Sequence, residues 1–102
     1  MNIIDIKELS VAGYEKRALN VFFENAFGKA RSIVLEPNGS IPSCKMEWHV
    51  LFSVVEGEVV IQSDGASFPL HEGQVFSSEP TTLSMTSEKG ARLLGVQIRV
   101  KA

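Results

Sequence analysis

Cysteine is nearly missing from this chain of 102 residues, with Cys44 the only one. A lone cysteine excludes an intramolecular disulfide. Disulfide-free sequences suit reducing compartments, so a cytoplasmic location is expected. Charge of one sign is missing too. Ten Lys and Arg stand against twelve Asp and Glu, a net charge of −2. Such a chain has no basic excess with which to displace counterions from a phosphate backbone, so nucleic acid is not expected as a partner. Long apolar runs are also lacking. The longest, Trp48–Val55, is broken by His49 and Ser53, and falls far short of the ~20 residues that cross a bilayer. No membrane partner is expected. The opening MNIIDIKELS alternates apolar and polar residues, without the apolar stretch and cleavage site of a signal peptide. No Gly-rich phosphate loop, Ser-His-Asp order or Cys-x-x-Cys pair occurs, which removes the common nucleotide-binding and nucleophile signatures. Helical signal is scarce. Ser10–Ala18 can hold one turn with Ser10 as N-cap, but Gly13 in its middle argues against a longer helix.

What the chain does have is β-strand patterning. Hydrophobic residues make up 44% and charged residues 22%, a globular composition. The length suits one domain, able to bury roughly 65% of its unfolded surface. Short apolar segments recur between turn residues: Ile3–Ile6, Leu19–Phe23, Arg31–Leu35, Val50–Val55, Glu58–Gln62, Ala66–Leu70, Gln74–Ser77, the alternating stretch around Leu83 and Met85, and Arg92–Val100. Pro37-Asn38-Gly39 and Asp64-Gly65 are turn sequences, the second a hairpin signal. Glu56-Gly57-Glu58 reads as a hairpin tip, and His71-Glu72-Gly73 as a solvated turn. Eight or nine short strands with turns every 8–12 residues describe an antiparallel sandwich or small barrel. Residues 1–27 are assigned as N-terminal strands and cover, and residues 28–102 as the barrel core.

The stretch E-P-N-G-S-I-P-S-C-K-M-E-W-H-V-L-F-S-V-V-E-G-E-V-V-I resembles the first motif of the cupin family. F-P-L-H-E-G-Q-V-F and G-A-R-L-L-G-V-Q-I resemble its later strands. The likeness runs from about Arg31 to Arg99 and implies an all-β, antiparallel double-stranded β-helix, or jelly-roll barrel. It also implies a metal held by two His and a Glu of the first motif and a His of the second. Counting back from Gly57, the Glu position is Val50 and the two His positions are Met46 and Cys44. Counting forward from Gly73, the last His position is Ser84. All four ligands are replaced, and the turn from Gly39 to Cys44 is one residue short. Valine donates nothing and serine is a weak donor. No metal and no other cofactor are therefore expected. Cys44 with Met46 could favour copper(I), but without a second thiol or thioether the pair is weak.

With strand alternation, Cys44, Met46, Trp48, Val50 and Phe52 share one parity and would line an apolar wall. This wall reads either as filled core or as a ligand pocket, with Ser84 and Gln97 adding polar contacts. His49 falls on the outward parity unless a bulge reverses it. Three functions stay open. The first is a metal-free binding or sensing module whose barrel lining is Cys44, Met46, Trp48, Val50, Phe52, Ser84 and Gln97. The second is an enzyme, an isomerase, a lyase or a metal-dependent catalyst, using a non-standard site around Cys44, Glu47 and His49. The third is a structural or partner-binding subunit. Val50–Val55 and Arg92–Val100 are apolar on both parities, and such strands must be covered on both faces. The outer face is therefore expected to be buried by residues 1–27, by a second subunit, or by both. The resemblance likewise implies a homodimer.

Overall fold

The computed structural model describes residues 2–100. Among them the chain forms β1 (Val21–Asn25), β2 (Gly28–Leu35), β3 (Gly39–Met46), β4 (His49–Ser63), β5 (Ala66–His71), β6 (Val75–Ser78), β7 (Thr81–Ser87) and β8 (Ala91–Ile98), preceded by a 3₁₀ helix over Tyr14–Asn20. All pairings are antiparallel. One sheet runs β1-β2-β8-β4-β6 and the other β3-β7-β4-β5. The all-β, double-sheet barrel expected from the strand spacing is therefore the observed architecture. No helix among the described residues is long and apolar enough to cross a membrane.

The long strand β4 joins the sheets. Its first half pairs with β6 and β8, its second with β5 and β7. Val50, Phe52 and Val54 are buried in the first half, Val59 and Ile61 in the second. The step from 54 to 59 breaks a period of two, so the inward face can continue only if the strand carries a bulge. A register shift lies between Val54 and Glu56, and Gly57 follows at φ +85°. This corrects the reading of Glu56-Gly57-Glu58 as a hairpin tip: the chain does not reverse there but turns a barrel corner. Gly57 sits against Ala91 of β8. A side chain there would strike the Gly90 carbonyl oxygen and come within 2.8 Å of Ala91 Cα. Ser87 pins the same corner, donating to the Glu58 carbonyl and accepting the Gly90 N–H at 2.9 Å. The reversal at Asp64-Gly65 is a true hairpin, with both residues at positive φ, 52° and 76°, as the primed two-residue turn requires.

The core is built from Leu35, Leu70, Leu83, Met85, Ala91 and Leu93 together with the buried residues of β4. Three other expectations are corrected. Ile3–Ile6 forms no strand. The helical turn starts after Gly13 with no side-chain cap, and the Asn20 amide instead closes the segment by two hydrogen bonds to the Ala12 backbone, at 2.8 and 2.9 Å. The stretch Gly39–Met46 is a strand in its own right, kinked between Ile41 and Cys44 where Pro42 removes a donor.

Candidate functional site

The core does not fill the barrel. A cavity of about 560 Å³ opens at one end, within the usual range for small-molecule sites. Its inner wall is apolar: Ile33, Ile41, Met46, Phe52, Leu83 and Met85. Its mouth lies between β2 and β3 and is bordered by the 3₁₀ helix through Tyr14, Arg17 and Asn20.

The strand register explains the shape. Across β2, β8 and β4, inward positions fall in rows: Lys29–Gln97–Val50, Arg31–Gly95–Phe52 and Ile33–Leu93–Val54. The last row is packed, with Leu93 at 0% exposure. The middle row has a glycine at its centre, over which the Ile33 and Phe52 side chains pack, 3.0–3.4 Å from where a Cβ would stand; Arg31, Ile33, Phe52 and Gly95 all border the cavity. The first row supplies polar groups. Gln97 accepts from the Arg31 guanidinium at 3.5 Å and donates to Met46 Sδ at 3.4 Å. Trp48 lies at the bend between β3 and β4, with Arg99 stacked 4.5 Å and Lys29 5.3 Å from its ring centre. Such cation–π contacts fix the indole at the rim.

Two groups here titrate away from their ordinary values. Burial, and then the Cys44 thiol beside it, raises the Tyr14 phenol. Burial, and then the charge of Arg17, lowers the Arg31 guanidinium. Both shifts follow from taking a charged form out of water.

Cys44, Met46, Trp48, Phe52 and Gln97 of the expected lining border this cavity. Val50 and Ser84 do not. Val50 is inward but sealed in the core at 3% exposure. Ser84 faces outward, with Oγ 3.4 Å from Gln62 Oε1, because Leu83, Met85 and Ser87 take the inward positions of β7. The count from Gly73 thus lands one residue off the inward phase, across the bend at Glu79-Pro80 that precedes β7. The constellation of Cys44, Glu47 and His49 is not assembled either. His49 pairs with Ile98 on the outer face, while Cys44 and Glu47 border the cavity. Among the described residues no three His, Cys, Asp or Glu side chains converge as a metal-holding group. The four positions matching the family's ligands do not fit a metal: one lacks a donor, one points away, and two are soft sulfur atoms. The sequence reading missed Arg31, Tyr14 and Lys29 as cavity residues. Arg31 and Lys29 share the inward parity of Ile33 and Leu35 on β2, a signal available in the pattern K-A-R-S-I-V-L.

No protein-family model matches the chain, and no curated protein matches it. Solved structures do. An uncharacterized conserved protein with a double-stranded β-helix domain from Klebsiella pneumoniae superposes with a TM-score of 0.83 at 16% identity, covering 100% of this chain and 93% of that one. A conserved protein of unknown function from Streptococcus pyogenes gives 0.79 at 12% identity, covering 99% and 90%. An RmlC-like cupin from Shewanella frigidimarina gives 0.72 at 20% identity, covering 79% and 74%. At these identities the similarity establishes the fold, a small cupin-type double-stranded β-helix.

Proposed function

We propose that this cupin-fold chain is a metal-free module that binds or senses a small molecule in the barrel cavity. The observation that carries this reading is the unfilled end of the barrel, apolar inside and polar at the rim, which is the usual anatomy of a ligand site. The unassembled donor set supports the metal-free part, and one equivalent of a transition metal in the purified protein would contradict it. The binding part is tested with N-phenylnaphthylamine, a neutral apolar dye whose emission rises on leaving water. Saturable binding is expected, weakened at least about tenfold by Ile41→Phe, which adds bulk to the inner wall; tenfold corresponds to about 1.4 kcal/mol. Unchanged affinity in that variant would place the dye elsewhere and refute the reading.

A second proposal concerns assembly. Leu51, Leu94, Val96, Ile98 and Val75 lie on the outer face of the β1-β2-β8-β4-β6 sheet, and Ile98 and Val75 are 48% and 53% exposed. The N-terminal segment covers the Arg92 end of this face, where Arg92 Nη1 donates to the carbonyls of Ile6 and Leu9 at 2.8 and 3.2 Å. A second copy on the remainder, related by a two-fold axis, would bury the rest.

A further inference from the structure

Arg31 stands out within the cavity. It is half-buried, and among the described residues no carboxylate lies within ion-pair distance of it. A guanidinium carries five N–H donors, yet its one side-chain partner is Gln97, at the limit of hydrogen-bond length. The other cations of the lining are engaged or solvated. Arg17 stacks on Tyr14 at 4.1 Å and donates to the Tyr14 carbonyl at 3.0 Å, Lys29 stacks on Trp48, and Lys45 is exposed. The cavity border holds four basic residues and two acidic ones, in a chain whose net charge is −2. The positive potential is therefore gathered at this mouth, where low-dielectric walls focus it. In the row of Arg31 the glycine is packed against Ile33 and Phe52, and these two continue with Leu83 and Met85 as the apolar wall of the cavity.

A half-buried cation with no ion pair, next to an apolar void, is complementary to one ligand type. We infer that the cavity takes an apolar monocarboxylate, its head held by Arg31 beside Gln97 and Tyr14 and its body lying along the apolar wall of Ile33, Phe52, Leu83 and Met85. This rests on the reading that the cavity binds an apolar small molecule, and adds the charge and placement of its head group. Arginine matches the planar carboxylate with two parallel N–H···O bonds. An anion there would also offset the cost of burial and the Arg17 repulsion that lower the Arg31 guanidinium.

The test uses Trp48, the only tryptophan, whose fluorescence reports occupancy of the rim. The full chain is titrated at neutral pH with octanoate and with octanol, which share a chain length and differ by one charge. Octanoate is expected to bind about ten- to a hundredfold more tightly, the usual gain from hydrogen bonds between charged groups. Arg31→Gln should abolish that preference while leaving octanol affinity within about twofold, and Arg31→Lys should keep part of it. Equal affinity for the two probes in the unaltered protein overturns the carboxylate assignment and leaves the apolar site standing, without needing any variant to fold. A preference that survives Arg31→Gln overturns the role of Arg31. Binding of neither octanoate nor octanol, nor of the naphthylamine dye, overturns both this inference and the binding reading beneath it.

Discussion

Gly57 is where the barrel turns its corner, and replacing it with alanine isolates the energetics of that corner. Two effects combine there. At φ +85° an L side chain costs about 1–2 kcal/mol. The added methyl also meets backbone, the Gly90 carbonyl oxygen and Ala91 Cα, which cannot rotate aside as a side chain can. Overpacking of this kind costs about 1–3 kcal/mol. Parting β4 from β8 at this point also stretches the Glu58 N–H bond to the Gly90 carbonyl, already 3.3 Å, a bond worth about 0.5–1.5 kcal/mol. Together these give about 2.5–6.5 kcal/mol, a large share of the 5–15 kcal/mol by which domains are stable. Gly65 provides the control. Its φ is +76°, yet nothing lies within 4 Å of an added Cβ, so Gly65→Ala should cost only the conformational part, about 1–2 kcal/mol. Urea unfolding of both variants reads the difference from the midpoints, provided the slope is unchanged. Gly57→Ala should be at least about 1.5 kcal/mol less stable than Gly65→Ala, or unfolded without urea. Variants within about 0.5 kcal/mol of each other would show that β4 does not need its glycine to change sheets.

Tyr14 is the only tyrosine, so phenolate absorbance titrates it alone. Its midpoint should lie above the ordinary value near 10, and Cys44→Ala should bring it part of the way back. A phenol raised by folding adds stability that is fully present below the unfolded value and is lost as pH climbs through the folded one, so alkaline unfolding should be shallower in Tyr14→Phe. For the assembly, light scattering at micromolar concentration should give twice the chain mass, and Leu51→Glu should halve it by placing a charge on the proposed interface. One-chain mass in the unaltered protein would reject the dimer.

Much of the fold is legible in the sequence because β patterning and turn chemistry agree. Asp64-Gly65, Gly73 and the alternation through Leu83 and Met85 each stand where the strands turn or point inward. The misreadings at Gly57 and Ser84 share one cause, which is that inward phase is not carried through an irregular step in the chain, a bulge in β4 and a bend before β7. At Gly57 the same residues suit a tip or a corner, and only the partner strand β8 decides between them. At β7 a single-residue error in the count moved Ser84 from the outer face to the lining. Ile3–Ile6 has strand propensity but no neighbouring edge to pair with, and propensity alone rarely sets β structure. In the site, sulfur and aromatic residues were found because they sit within the motif-like stretch. Arg31 reads from the sequence as a solvated residue rather than an anion-binding one, because a charged residue on a strand usually marks the solvated face.

The cavity itself argues against a purely structural role. Interiors pack near crystal density, and filling this space would take only an ordinary change such as leucine at the cavity-lining Cys44. Closing it would add apolar contacts, whereas leaving it open forgoes them beside a half-buried Arg31 that has no ion pair among the described residues. A chain selected for stability alone would gain from closing it. Both costs fall on the same end of the barrel, the end that also carries the rim tryptophan and the gathered positive charge. An unfilled space and a cation without an ion pair that coincide in this way are the pattern expected where folding stability is given up for binding, which supports the proposed binding role.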